Sequence, residues 1–227
     1  MCERRIFIFT GSSLHPDKAR TLIDATILPP IKRGDLASVS ASKPQVVGII
    51  DGEFYQSLAV SPKEILPLLE AGVRVYGAAS MGALRAVELR KFGMVGVGRV
   101  FRLFRAGFLD ADDEVAVTFD PSTYQPTSEP LVNTRYLLRA AVRRRLLNRG
   151  EAAELLTEMK AAYFPERTKG LLHAIARARL GADRAKELRR FAENHAPDIK
   201  QGDARALINT IAAEHFSIAR PQKTISF

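Results

Sequence analysis

The chain reads as an α/β protein: a parallel-sheet, Rossmann-like or flavodoxin-like core in residues 1–120, followed by an all-helical basic region in residues 121–227. Three observations predict this. The runs Arg5-Ile-Phe-Ile-Phe-Thr10 and Gln45-Val-Val-Gly-Ile-Ile50 are apolar without alternation, the mark of strands covered on both faces. Strand-like and helix-like segments alternate up to about residue 90, which predicts parallel strands joined by right-handed crossovers. From Leu131 onward the composition turns to Ala, Leu, Arg and Glu, with no further strand pattern.

The first strand ends at Gly11 and is followed by the loop Gly11-Ser12-Ser13-Leu14-His15. Pro16 suits a first helical position and Asp17 its dipole, so a helix runs from there to about Ile23. Ala25 to Leu28 follows, stopped by Pro29-Pro30. The second strand, 45–50, exits into Asp51-Gly52-Glu53. Ser61-Pro62-Lys63-Glu64 is a capping box with proline at the first helical position, opening a helix that ends at Gly72. Val73 to Tyr76 is a third strand, Gly77 to Gly82 a tight turn of small residues, and Ala83 to Lys91 the next helix. Residues 99–106 read as a helix and Val115 to Phe119 as a strand. Asp120 to Pro130, with three prolines, is a linker or long loop. Breaks near Gly150, Pro165, Gly181, Pro197 and Gly202 divide the rest into four or five short helices, and the residues after Pro221 read as a frayed end.

Composition narrows the function classes. The only cysteine is Cys2, which excludes an internal disulfide and a multi-cysteine zinc site. No apolar run approaches the roughly 20 residues that span a bilayer, and the apolar stretch after Arg5 is too short for a signal peptide, so no membrane partner is expected and the reading is cytoplasmic. The net charge is +9, unevenly placed: residues 1–120 hold 15 basic and 14 acidic side chains, residues 121–227 hold 19 and 11. A basic helical region suits an acidic protein or peptide. Nucleic acid is a poorer fit, because no aromatic stacking set accompanies the cations.

In a parallel sheet the ligand crevice lies beyond the carboxyl ends of the strands. Three polar loops meet there: Gly11-Ser12-Ser13, Asp51-Gly52-Glu53 and Ala79-Ser80-Met81. The turn Ala78-Ala79-Ser80-Met81-Gly82 follows the pattern of a nucleophile elbow, which requires small residues two before and two after the serine. Ser80 is thus a candidate nucleophile, with the amide of Met81 and one from Ser12-Ser13 as oxyanion donors. The alternative is a serine that caps the helix and binds an anion. Candidate bases are His15, the only histidine of this half, and the carboxylates Asp51 and Glu53; His173, His195 and His215 lie in the helical half. Arg85 is placed either to pair with Glu88 or to hold a substrate carboxylate. Asp51 and Glu53, and the cluster Asp110, Asp112, Asp113 and Glu114, have too few identifiable ligands to predict a metal site, and no cofactor is expected. Gly93, Gly96 and Gly98 do not follow a strand in the manner of a dinucleotide fingerprint.

These residues also carry a family resemblance. Val47 to Phe54, Gly77 to Leu89 and Phe92 to Gly98, with Leu28-Pro29-Pro30, Gly34-Asp35 and Asp112 to Ala116, resemble the core of TfuA-like proteins. The match spans about residues 5–120, and departs from the pattern where Gly-Pro-Ser-Leu is expected and Gly11-Ser12-Ser13-Leu14 stands. The resemblance implies partnership with a YcaO-family enzyme, which activates backbone amides with ATP, and a shared role in installing thioamides in ribosomally made peptides or in methyl-coenzyme M reductase. It implies a part in sulfur supply or in stimulating the enzyme. Expected partners are the YcaO enzyme, a ubiquitin-like sulfur-carrier protein and a precursor peptide. Combined with the turn at Ser80, it suggests a serine-dependent thiocarboxylate hydrolase, with an allosteric binding module as the alternative.

Overall fold

A computed structural model describes residues 5–54 and 58–216, with side chains through Glu214. Cys2, the side chain of His215 and the segment after Pro221 lie outside the described residues. Five strands form one parallel sheet: β1 (Ile6–Phe9), β2 (Thr26–Leu28), β3 (Val46–Ile49), β4 (Arg74–Gly77) and β5 (Val95–Gly96). Their spatial order is β2-β1-β3-β4-β5, and every adjacent pair is parallel. This is the flavodoxin-like order, whose direction reverses between β1 and β3. The loops leaving those two strands carry Gly11 to Ser13 and Asp51 to Glu53, so the topology itself brings them side by side.

The first half supplies α1 (Pro16–Arg20), α2 (Asp35–Ala41), α3 (Pro62–Glu70), α4 (Met81–Leu89) and α5 (Gly98–Arg105). One face of the sheet buries Val47, Ile49 and Val75 against α2, α3, α4 and α5 through Leu36, Val39, Ile65, Leu68, Ala83 and Phe101. The capping box at α3 forms as its sequence requires, Ser61 N donating to Glu64 Oε1 over 2.9 Å.

The second half supplies α6 (Leu131–Arg143), α7 (Arg149–Ala161), α8 (Lys169–Leu180), α9 (Ala182–His195) and α10 (Ile199–Phe216). Helices α6 to α9 enclose their own core of Leu137, Leu138, Leu155, Met159, Leu172 and Leu188. Helix α10 instead returns to the sheet. Its Ala204, Leu207, Ile208 and Ile211 cover Ile6, Ile8, Val46 and Ile50 on the face that α1 leaves open. Gly48 makes room for it, since a side chain there would meet Leu207 and Ile211 at 3.1 Å. Asp203 of α10 also accepts from the amides of Arg99 and Val100 at 2.8 and 2.7 Å, capping α5 from outside that helix.

The structure adds α2, which the sequence reading did not expect, and departs from the sequence expectations in four further places. Val115 to Phe119 is not a strand of the sheet; its end pairs with the loop that follows it, through a bridge from Phe119 to Pro126 and a bond from Thr127 N to Thr118 O at 2.8 Å. Strand β5 lies inside the glycine run 93–98, where Gly96 leaves space for the Phe101 ring and Gly98, at φ 95°, for the Asp203 carboxylate. Gly202 does not break α10, since nothing stands near its Cα and the flanking apolar stripe is packed. The first helix stops at Arg20 rather than Ile23, with Thr21 as its cap.

The cluster Asp112-Asp113-Glu114 is a 3₁₀ turn that anchors the helical half to the core. Glu114 is fully buried and takes a two-pronged bond from Arg135, whose Nε reaches Oε2 at 2.8 Å. Arg167, 1% exposed, binds Asp113 and four backbone carbonyls. Part of the basic charge of the second half is therefore spent internally.

Candidate active site

The turn after β4 is sharp because two glycines face each other across it. A side-chain carbon on Gly82 would fall 1.7 Å from the Ile49 carbonyl oxygen, and one on Gly77 would fall 2.0 Å from the Gly82 oxygen. The helix α4 thus begins in direct contact with the end of β3. Ala79 takes a left-handed backbone, φ 63°, a conformation costing a non-glycine residue about 1 kcal/mol or more. Strain stored in this way belongs to sites that need a fixed geometry. Ser80 N donates to Ala78 O at 2.7 Å, tightening the turn further.

Ser80 stands at the N-terminus of α4 yet makes no side-chain cap bond. Its hydroxyl instead donates to the Val115 carbonyl over 3.4 Å, and the residue is 1% exposed. Ala83 and Leu84 amides both bond the Ser80 carbonyl, while among the described residues no acceptor pairs with the amide of Met81. That amide, on the residue after the serine at a helix start, is the group an oxyanion would use.

Asp51 organises the neighbouring loop. One carboxylate oxygen accepts from the amides of Gly11 and Ser13, both at 2.9 Å; the other accepts from Ser13 Oγ at 2.5 Å. Those two amides are therefore committed to Asp51, and of the three in this loop only that of Ser12 has no acceptor among the described residues. Glu53 is half buried and its amide donates to Ile31 O at 3.0 Å. His15 sits apart. Its Nδ1 accepts from the Asp17 amide at 3.2 Å and caps α1, and its ring faces Tyr124 at 6.2 Å. None of these contacts reaches Ser80. Arg85 binds the Val60 carbonyl at 2.8 Å and both oxygens of Glu88 at 2.8 and 2.7 Å. Among the described residues no cluster of His, Asp and Glu is arranged to hold a metal ion.

The side chain that sequence reasoning missed is Lys200, at the start of α10. It is 3% exposed and its Nζ donates to the same Val115 oxygen, at 2.8 Å, that Ser80 engages. Burial pulls the Lys200 amine below its usual range, with the charges of Asp51 and Asp198 acting in the opposite direction. The signal was present in the sequence: Lys200 shares the i, i+4, i+8 stripe of Ala204 and Ile208, so a cation stands on an apolar face.

This depression has a consequence for stability. Below the ordinary lysine value of 10.5, and above the lowered folded value, the unfolded chain holds a proton that the folded chain does not. Stability from this group then rises with pH. Native protein is expected to gain stability relative to Lys200→Met as pH increases from 7 towards 10, by less than the limit of about 1.4 kcal/mol per pH unit for one proton. Urea denaturation of both proteins across that range checks it; a constant or shrinking difference contradicts a depressed amine.

A cavity of about 610 Å³ opens beside the carboxyl edge of the sheet, between that edge and the helices of the second half. Ser12, Ser13 and Lys200 form its sheet end, and Glu129, Asn133 and His173 lie further along. Burial raises the Glu129 carboxyl above its usual range against the pull of Lys169, and His173 Nδ1 is buried without a hydrogen-bond partner among the described residues. Ser80 does not line this cavity. Lys200 is the side chain that both lines it and shares a hydrogen-bond acceptor with Ser80.

Among known protein families, the model described as TfuA-like protein matches residues 51–168, more than half of the chain, and includes the Ser80 turn and the 112–114 anchor. No curated protein matches the chain. No helix among the described residues is long and apolar enough to cross a membrane.

Proposed function

Because this chain belongs to the TfuA-like family, we propose that it serves YcaO-dependent backbone thioamidation by releasing sulfide from a thiocarboxylated sulfur-carrier protein, with Ser80 as nucleophile. The observation that carries the reading is the turn itself. A serine at a strained strand–helix junction, with the next amide unpaired and its own hydroxyl not capping the helix, is arranged for attack rather than for helix stability. The Ser80 hydroxyl adds to the thiocarboxylate carbon and its proton ends on sulfur. The carbon–sulfur bond breaks, hydrosulfide leaves, and the carrier remains as an ester on Ser80. Water then cleaves the ester, giving a carboxylate and the free hydroxyl. The Met81 amide stabilises the oxyanion in both halves.

Ser80→Ala is expected to cut sulfide release from a thiocarboxylated carrier by at least 100-fold with the thermal transition unchanged, since it removes one buried oxygen with a 3.4 Å bond. Sulfide release at the native rate in that variant contradicts the proposal.

A second reading has its own support. Ser80 is 1% exposed and off the cavity, and the second half is basic. On this reading the cavity and the basic helices dock an acidic YcaO surface or precursor peptide and stimulate the enzyme without chemistry. Reversing the charges of Arg143, Arg144 and Arg145 then weakens co-purification with the enzyme, while Ser80→Ala leaves stimulation intact.

A further inference from the structure

We propose that the groove between α6 and α7 is the docking surface for an acidic, amphipathic α-helix of a partner protein, a seat that rests on the docking reading for its acidic occupant and holds whether or not Ser80 reacts.

The groove follows from the pattern of the two helices. Arg135, Leu138, Arg139, Val142 and Arg143 recur at helical spacing, so they share one face of α6. Arg149, Ala152, Ala153 and Leu156 repeat that spacing on α7. Residues 144–148 connect the helices, and the two faces line a groove of about 460 Å³. Its floor is apolar: buried Leu138, half-buried Val142, Ala152 and Leu156, and exposed Ala153. The floor is firm, because Val142, Ala152 and Leu156 pack against the core of the second half. The rim is made of arginines.

That rim lacks a counter-charge. No carboxylate lines the groove. Elsewhere in the second half Arg179, Arg184 and Arg189 close ion pairs with Glu158, Glu151 and Glu193. Arg135 is likewise held by buried Glu114. Arg139, Arg143 and Arg149 make no ion pair or side-chain hydrogen bond among the described residues; Arg139 lies over the Tyr136 ring at 5.9 Å. Arg139 and Arg143 stand four residues apart on one helix, a spacing at which like charges destabilise it. Folding therefore does not account for this cluster, whereas an acidic occupant does.

Floor and rim together define the occupant. The floor asks for a stripe of apolar side chains and the rim for carboxylates beside it. A helix with such a stripe, flanked by glutamates or aspartates, meets both demands when laid in the groove. Arg139 and Arg143 are about 6 Å apart along α6, one helical turn, which matches carboxylates four residues apart on a facing helix. A nucleic acid would satisfy the rim but leave the floor uncovered, and no aromatic side chain lines the groove to stack on a base. The groove shares no lining residue with the larger cavity beside Ser12 and Lys200, so a seated partner leaves that cavity open.

The test uses the full-length chain and a fluorescein-labelled helical peptide of about five turns, with leucines on one stripe and glutamates beside it. Fluorescence anisotropy is read for four proteins. They are native, the groove reversal Arg139→Glu with Arg143→Glu and Arg149→Glu, the groove filler Ala153→Gln, and a control reversal Arg177→Glu with Lys186→Glu and Arg190→Glu. All seven positions are exposed, so the fold is expected to survive, and far-UV circular dichroism checks it. Native protein is expected to bind saturably. The groove reversal and Ala153→Gln, which fills the floor without changing charge, are each expected to weaken binding by about 10-fold or more, and the control reversal by less than about 2-fold. A peptide of the same composition with its stripe scrambled is expected to bind about 10-fold more weakly. Absence of saturable binding, equal binding of the scrambled peptide, or equal loss in the two reversals overturns the groove. Displacement of the peptide by a single-stranded oligonucleotide, with Ala153→Gln binding as native, overturns it in favour of nucleic acid. Native co-purification with the YcaO enzyme in both reversals refutes the docking reading itself, a separate outcome.

Discussion

Gly82→Ala is expected to destabilise the protein by about 3 kcal/mol or more, the upper end for an overpacked site. The added methyl would sit 1.7 Å from the Ile49 carbonyl oxygen and 2.5 Å from its carbon. Both obstacles are backbone, in a central strand that pairs with β1 and β4, so neither rotates away. The only relief is to lift α4 off the end of β3. That lift breaks the bond from Gly82 N to Ile50 O and moves Ser80 and the Met81 amide together. Urea denaturation should show a lowered midpoint, and the surviving folded fraction should have lost fluorophosphonate labelling at Ser80. A variant with native midpoint and native labelling would mean the junction is softer than its packing indicates.

Arg167→Ala is expected to cost about 3 kcal/mol, at the lower end for removing one partner of a buried ion pair. The guanidinium is 1% exposed and binds Asp113 twice, at its carboxylate and at its carbonyl, as well as Met159, Lys160 and Ala162 carbonyls. Asp113 keeps a partly exposed side chain and can regain water, which holds the cost down. The carbonyls at the end of α7 cannot regain it as easily. Arg167→Lys should recover little, because a single ammonium does not span a fork of five acceptors. Equal denaturation midpoints for the native and alanine proteins would show that the anchor is dispensable.

Legibility in the sequence followed segment length and apolar density. Strands β1 and β3 announced themselves as unbroken apolar runs, and β4 as a short β-branched and aromatic segment bounded by Gly72 and Gly77. The Ser80 turn did so through small residues, whose necessity the Gly77–Gly82 contact explains. Strands β2 and β5, three and two residues long, are too short to show a period and take their identity from neighbours. Val115 to Phe119 has strand composition but pairs at its end with the loop that follows it, and its first carbonyl is taken by Ser80 and Lys200. The anchoring role of the acidic cluster was not legible because its partners, Arg135 and Arg167, lie beyond a proline-rich stretch. Lys200 was legible only as a cation on the stripe of Ala204 and Ile208; a break expected near Gly202 concealed that the stripe belongs to one helix lying on the sheet.

The path of α10 has a consequence for synthesis. Translation delivers all five strands, the Ser80 turn and the anchor long before residue 199. Until then, one sheet face has no cover where Ile6, Ile8 and Ile50 await Leu207 and Ile211. A nascent chain at that stage exposes an apolar surface suited to chaperones. It also carries Ser80 without Lys200, the other donor to the Val115 carbonyl. A product truncated before α10 should therefore be prone to aggregation.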